Sequence, residues 1–403
     1  MTTSAEPDWG HSGELEDVSG EIAIVGVGDA IYQRASGKSA NEIALDAIER
    51  AIADAGLRPD EIDGLMQSPF MGGGFTADTY RDYFGTGQSI WMSTDGGAMT
   101  WAATAPVAAA QAIREGKARH ILNLFAVDWF SQKGKGGEGP GKYHGEERMK
   151  ANFELPFGWF PQPVYFATIA RRHMFEYGTR PEDLGAIAVA CRYHATRHPD
   201  AITRQRPLDL AGYLARPMMV DPLRMDDCCL ISDGGGATIM TSLERARDLA
   251  KPPVVVAGVG EGYSGSGAYW SQQGDFTASP QVFSAPRAFE QAGVTPGDVD
   301  VLTLYDPFSI VALMQIEDMG FCPKGGAGDL VADGKLHFDT PGLAYNTHGG
   351  LLSHAYVLGI SHVNEVVRQL RGEAACQVSD CEIGVYGGYT GHMASTLVMR
   401  RDR

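Results

Sequence analysis

AGLRPDEID (residues 55–63) and AGVTPGDVD (residues 292–300) lie in opposite halves of the chain and match almost position for position. Each follows a helix-like run with Ala-Gly, turns at a proline, and leads through an acidic residue into an apolar stretch, the punctuation of a helix that stops and a strand that starts. The likeness widens on inspection. EIAIVGVGDA (21–30) reads as a buried strand entering a glycine turn and is followed by the amphipathic ANEIALDAIERAIADAG (40–56). PPVVVAGVGEGY (252–263) restarts that order, and SAPRAFEQAGVTPGDVDVLTLYDPFS (284–309) supplies the helix, turn and strand again. Two copies of a βαβ-type unit predict an α/β fold of two similar halves packed about a pseudo-dyad. The expected divisions are a loose tail over 1–20, a first half over 21–250 carrying a loop or lid region at 127–220, and a second half over 251–403.

The bulk numbers narrow the function. With 403 residues, 44% of them hydrophobic, the chain can bury a sizeable core. Fifty acidic against 33 basic side chains give a formal charge of −17, which argues against nucleic acid or an anionic membrane as partner. The six cysteines include no CxxC pair, so reduced thiols and a cytoplasmic location are expected. The start, MTTSAEPDWGHSGELEDVSG, lacks the basic and apolar regions of a secretory signal, and no segment offers the roughly 18 consecutive apolar residues of a membrane span.

Between the halves the texture changes. SQKGKGGEGPGKYHGEE (131–147) is rich in glycine and lysine and predicts a mobile surface loop. Beyond it the chain becomes helical and arginine-rich, and Arg171, Arg172, Arg204 and Arg206 are the candidates for holding phosphates in an otherwise acidic protein. GVGDA and GVGEG each follow a strand, yet neither makes GxGxxG opening a helix, so a dinucleotide site is not expected. GxSxG, HExxH and a Walker loop are also absent.

Taken together, AIVGVG, APVAAAQAIREGKARHIL, ARRHMFEYGTRPEDLGAIAVACRYHA, DPLRMDDCCLISDGGGA, LYDPFS and NTHGGLLSHAY resemble the thiolase superfamily, and most closely its lipid-transfer-protein branch of the sterol carrier protein x type. The resemblance spans nearly the whole chain in family order. It implies a thiolase fold, two pseudo-symmetric βαβαβαββ halves in a five-layered α/β/α/β/α arrangement, and a homodimer.

The departures from the family bear on the chemistry. A thiolase presents a cysteine at the N-terminus of a buried helix, where the amide dipoles favour the thiolate. Here Met99, within DGGAMTWAATA, falls at or beside that position, and no cysteine precedes Cys191. The family's Gly-His-Pro, whose histidine activates the thiol, is replaced by Ala355-Tyr356-Val357, and the C-terminal VYGGYTGHMA carries Tyr386 and Tyr389 where another catalytic cysteine is common. His348 keeps the place of the histidine that holds the thioester oxygen. Enolate stabilisation without a nucleophile suits a retro-aldol cleavage, which needs a base for a hydroxyl proton and an acid for the enolate carbon. The resemblance implies His348 as oxyanion donor, Tyr356 near the substrate hydroxyl, and Tyr263 of GVGEGY as proton donor, with the two tyrosines free to exchange roles. Asp306, before Pro307, could orient Tyr305 or His348, but its place favours the cap of the helix beginning PFSIVALMQIEDMG.

The resemblance therefore implies a retro-aldolase that cleaves a bulky β-hydroxyacyl-CoA, such as a 17-hydroxysteroid-20-carboxyl-CoA, to a ketone and a short acyl-CoA such as propionyl-CoA. That chemistry requires no cofactor or metal, coenzyme A entering as part of the substrate. The branch also implies a small partner with an OB-fold and zinc-ribbon region. Two alternatives stay open: a thiolase or acyltransferase using an unrecognised cysteine such as Cys322 or Cys381, and an inactive acyl-CoA-binding scaffold subunit.

Overall fold

The structure, a computed structural model, describes residues 7–68, 74–133, 150–265 and 272–402. After a short strand β1 (Gly10–Ser12), the first half runs β2 (Ile22–Tyr32), α1 (Ala40–Ala55), β3 (Gly64–Gln67), α2 (Ala77–Phe84), β4 (Trp91–Ser93), α3 (Thr100–Arg114), β5 (Ile121–Asp128). An excursion follows, holding α4 (Gln162–Tyr177), α5 (Pro181–Ala195) and a small hairpin of β6 (Met218–Val220) and β7 (Leu223–Arg224), before β8 (Asp233–Ser242) closes the half. The second half repeats the pattern as β9 (Val254–Ser264), α6 (Gln281–Ala292), β10 (Val301–Leu304), α7 (Ser309–Asp318), β11 (Ala344–Tyr345), α8 (Ile360–Arg371), β12 (Ile383–Tyr389) and β13 (Met393–Arg401). Each half is thus βαβαβαββ, as the resemblance implied.

The strands line up as β11-β10-β12-β13-β9-β2-β8-β5-β3-β4. Outward from the centre, β2-β8-β5-β3-β4 and β9-β13-β12-β10-β11 place counterparts in the same order, which is the pseudo-dyad. α1 covers the outer face of one half and α6 that of the other, while α3 and α8 lie between, each touching strands of both halves. The five layers are therefore α1, sheet, α3 with α8, sheet, α6.

The repeated nonapeptide has a physical reading. α1 opens on a capping box, Ser39 accepting from the Glu42 N–H while Glu42 accepts from that of Ser39, and stops at Gly56 in the left-handed region. α6 stops likewise at Gly293. Each glycine leads to a proline turn whose acidic residue reaches back, Glu61 accepting from the Arg58 N–H at 2.9 Å and Asp298 from that of Thr295 at 2.8 Å. The GVG motifs are packing devices: a Cβ on Gly28 would strike the carbonyl of Ala47 in α1, and one on Gly260 that of Ser284 in α6. Bare backbone there brings strand and helix close, and no phosphate site is needed to explain it.

Two expectations are modified. Part of the segment expected to be a loose tail is ordered, with β1 pairing antiparallel to β9, Gly10 opposite Ser264, and Val18 buried. The reason is geometric. β2 pairs with β9 only at Ala23 and Ile24, so the rest of that edge is open and β1 occupies it. The glycine- and lysine-rich loop lies mostly outside the described residues, whereas α5 is docked on α7 and on a wide turn, Gly350–His354. No helix among the described residues is long and apolar enough to cross a membrane.

Asp54 ties the halves together at the base. It accepts from the Val27 N–H of β2 at 2.9 Å and from Arg371, at the end of α8, at 2.8 Å, and it pairs with Lys251 in the connection between halves. Burial works to raise its carboxyl, yet Lys251, Val27 and Arg371 outweigh that and hold it below the usual range. A carboxylate so depressed stabilises the fold above its unfolded pKa and loses that contribution as pH falls through the folded value. Asp54→Asn should therefore lower the unfolding free energy by about 3 kcal/mol at neutral pH. In denaturant melts the gap to the wild type should close below a pH of about 4.

Candidate functional site

The site is built around the start of α3. Met99 is its N-cap and adopts φ 55°, ψ −127°, a conformation costly for any residue with a side chain. The turn is held from both halves. Gly97 donates to Asn123 Oδ1 at 2.6 Å, the Tyr386 hydroxyl donates to the Met99 carbonyl at 2.8 Å, and Ser395 Oγ donates to the Thr100 carbonyl at 3.0 Å. Tyr386 reaches Met99 because Gly359, just before α8, gives way: a Cβ there would collide with the Tyr386 hydroxyl. What this turn presents is a thioether, which has no proton to lose and makes no acyl-enzyme.

Tyr356 stands in the loop between the wide turn and α8. Its N–H donates to Ser232 Oγ at 2.9 Å, its ring packs on Trp129 with centroids 5.1 Å apart, and its hydroxyl lies 3.2 Å from that of Tyr305. Tyr305 directly follows β10 and is anchored at both backbone groups, donating to the Gly387 carbonyl at 2.8 Å and accepting from Gln315 Nε2 at 2.9 Å. Sequence reasoning did not assign Tyr305 a role; its place immediately beyond a buried strand, beside an acidic residue, was the available signal.

Asp306 does not cap α7. That helix begins at Ser309 with Phe308 as its N-cap, and Asp306 turns the other way into the core. Oδ1 accepts from the Leu351 N–H at 2.8 Å and lies 3.1 Å from His362 Nε2, while Oδ2 accepts from Cys191 Sγ at 3.5 Å. Full burial explains the difference, since a carboxylate without water collects every donor in reach. Through Asp306 the residue after Tyr305 organises the NTHGG loop, α8 and α5 at once.

His348 lies in that loop, its ring 4.7 Å from His362 and 5.1 Å from His354 between centroids. Among the described residues neither ring nitrogen has a hydrogen-bond partner. Burial, with His362 and His354 adding to it, holds the imidazole well below its ordinary value, so the ring is neutral at pH 7. One N–H is thus uncommitted, although the ring is enclosed, 2% exposed.

Tyr263 has other neighbours. It sits near the end of β9, opposite His11 of β1 and Met393 of β13, and stacks on His11 with centroids 5.5 Å apart. The strand register places Glu261 opposite Ser395, whose hydroxyl meets the first residue of α3, so Tyr263 lies on the sheet face that α3 covers, two residues farther along. Burial and then Glu261 push its phenol upward, which keeps it protonated at neutral pH. Tyr389 is buried and its phenol is likewise pushed up by burial.

The arginines do not form one cradle. Arg171 pairs with Asp221 and Arg172 with Glu176, whereas Arg204 donates to the Pro199 carbonyl and the Arg206 carbonyl accepts from Arg192. Arg192 is buried and structural, holding Ser353 at 3.0 Å and Asp226 at 3.1 Å. The cysteines are all unpaired. Burial pushes Cys322 up to about 11 and Cys381 up to about 12, far from the thiolate that nucleophilic catalysis needs.

A family model described as thiolase C-terminal domain-like matches residues 262–400. A steroid side-chain-cleaving aldolase of Thermomonospora curvata is 35% identical, over 95% of this chain and 99% of the relative. A 17-hydroxy-3-oxo-4-pregnene-20-carboxyl-CoA lyase of Mycobacterium tuberculosis is 34% identical, over 95% of this chain and 100% of its own. Among solved structures, an Ltp2-ChsH2(DUF35) aldolase superposes with a TM-score of 0.85 at 33% identity, covering 96% of this chain and 100% of that one.

The Asp306 hub makes a direct prediction. Asp306→Ala, which leaves the Leu351 N–H and His362 without their acceptor, should cost about 3 kcal/mol in urea unfolding. Asp306→Asn, which keeps an oxygen acceptor, should cost clearly less.

Proposed function

This chain belongs to the thiolase superfamily, in its lipid-transfer-protein branch beside the steroid side-chain-cleaving aldolases, and from that premise we propose that it is a carbon-carbon lyase acting on a steroid β-hydroxyacyl-CoA. The observation that carries the reading is the thioether of Met99 at the N-cap of α3, its carbonyl held by the Tyr386 phenol, together with the paired phenols of Tyr305 and Tyr356.

In the proposed reaction, Tyr356 as phenolate takes the proton of the substrate's 17-hydroxyl. The carbon-carbon bond to the thioester-bearing carbon breaks, its electron pair passing into the thioester enolate as the ketone forms. His348 donates its free N–H to the enolate oxygen, and Tyr263, protonated beside Glu261, gives its proton to the enolate carbon. The products are a 17-ketosteroid and propionyl-CoA. Coenzyme A enters with the substrate, its phosphates reaching toward the arginine-rich excursion, where Arg171, Arg172, Arg204 and Arg206 remain the candidates. The flat face of Trp129 beside Tyr356 suits a fused-ring ligand.

The assembly we propose is a homodimer carrying a small OB-fold and zinc-ribbon partner; the structural relative, described as a complex with a DUF35 component, supports such a partner. The unpaired cysteines suit a cytoplasmic location.

The test is product analysis by mass spectrometry with a 17-hydroxysteroid-20-carboxyl-CoA and the co-expressed partner. Wild type should release the 17-ketosteroid and propionyl-CoA, and iodoacetamide should leave turnover intact. Tyr356→Phe and Tyr263→Phe should each reduce kcat on the order of 10²-fold to 10⁴-fold, and His348→Ala on the order of 10²-fold. Substrate bound but returned intact under every condition would favour the scaffold reading, and a trapped acyl-enzyme the cysteine reading.

A further inference from the structure

His348 has two buried rings beside it, and the proposed reaction uses neither. His354, the last residue of the wide turn, lies 5.1 Å from His348 between centroids, and His362 of α8 lies 4.7 Å away. His198, shortly past the end of α5, continues the row with its ring 4.6 Å from that of His354. All four are buried. Burial, with neighbouring histidines and Arg368 adding to it, holds His348 and His354 well below the ordinary imidazole range, and burial with Arg368 lowers His198 to about 4. These three rings are therefore neutral at pH 7, each with one N–H to give and one lone pair to fill. Which nitrogen carries the proton is set by the bond that the other one makes.

The order of donors can be followed inward from the surface. The Asp200 N–H donates to His198 Nδ1 at 3.3 Å, so the proton of that ring sits on Nε2. At the other end His362 Nε2 lies 3.1 Å from Asp306 Oδ1; a carboxylate only accepts, so the His362 proton is committed there and its Nδ1 is left as an acceptor. The second nitrogen of His348 then has to be served by His354, and among the described residues neither ring nitrogen of His354 has a partner of its own. Two imidazoles joined by an N–H···N bond of about 2.9 Å have centres roughly 5 Å apart. The spacing of His348 and His354 matches that, so turning the His354 ring closes the bond. The backbone beneath is fixed, with the His354 carbonyl accepting from the Ile202 N–H at 3.0 Å and the Ser353 carbonyl from Thr203 Oγ1 at 2.7 Å.

Resting on the reading of His348 as oxyanion donor, we infer that His354 is a positioning residue: backed by His198, it donates its N–H to the ring nitrogen of His348 that faces away from the substrate, and so fixes the tautomer whose N–H meets the enolate oxygen. No proton changes atoms. The row has one polarity, from the Asp200 amide through His198 and His354 to His348, and charge developing on the enolate oxygen strengthens each bond in it. The same bonds give His348 and His354 the partners that buried polar groups require.

The experiment is nitrogen NMR together with steady-state kinetics on the chain with its small partner, isotope-labelled at histidine, in wild type, His354→Phe, His354→Gln and His198→Phe. The His348 resonances are those missing from His348→Ala. Wild type should show one protonated and one bare nitrogen at His348, and in His354→Phe the two signals should approach each other as the tautomers mix. His354→Phe should lower kcat on the order of 10-fold to 100-fold, with KM for the 17-hydroxysteroid-20-carboxyl-CoA little changed. His354→Gln, which keeps an N–H donor, should recover part of that loss. His198→Phe, at the solvent end, should show a smaller loss in the same direction and guards against a folding defect at the inner position. Equal losses in His354→Phe and His354→Gln with the His348 signals unmoved would make His354 merely structural, and wild-type kcat in His354→Phe would remove it from the mechanism; either result overturns the inference while leaving the aldolase reading intact. Full activity in His348→Ala would instead sink the oxyanion assignment on which the inference rests.

Discussion

Placing α3 and α8 between two sheets removes water from the polar groups of both helices. Every such group then needs a partner from the protein, and in this fold several of the partners come from the opposite half. Asn364 of α8 donates to Asp29 of β2 at 2.8 Å, Arg368 pairs with the same carboxylate, and Arg371 with Asp54. From the other side, Tyr386 and Ser395 of the second half satisfy carbonyls at the start of α3. These cross-connections fix the relation of the halves more narrowly than apolar packing does, since a hydrogen bond tolerates little displacement.

The same constraint positions the chemistry. The strained turn at Met99 persists because Asn123, Tyr386 and Ser395 determine it from three directions, with or without a nucleophile to display. A thiolase architecture concentrates helix amides and donors at that point to serve an acyl-enzyme. With a thioether there, the proposed reaction leaves those donors to hold a thioester enolate and gives the acid-base work to phenols. Tyr356 and Tyr305 arrive from different segments, one from the loop after the wide turn and one from the end of β10, and meet with their hydroxyls 3.2 Å apart, while Asp306 next to Tyr305 binds both the Leu351 N–H and His362.

α8 shows how far pattern reading reaches. Its sequence ISHVNEVVRQLR looks like a surface helix with one apolar stripe, yet Ser361, His362, Asn364, Glu365 and Gln369 are all buried. Hydropathy measures a side chain against water. It carries no account of a second polar group waiting across an interface, and here Thr347, Asp29 and the Cys376 carbonyl supply that account. Asp306 was misread for the same reason: next to a proline and ahead of an apolar run it has the local form of a helix cap, and its actual partners lie far away in sequence.

The sequence by itself determined the repeat of a βαβ-type unit, the helix stops at Gly56 and Gly293, and the presence of His348 and Tyr356 in one short segment, and its resemblance to the thiolases implied a methionine where they carry a nucleophile. These are local properties, set by propensity, capping and residue chemistry within a few positions. Tertiary structure decided that β1 completes the open edge of β9, that Tyr305 meets Tyr356, that Asp306 binds His362 rather than α7, and that Tyr263 lies on the face covered by α3. Each of these depends on which strand edges and donors the fold brings together, and a pairing between distant residues leaves no mark on either residue alone.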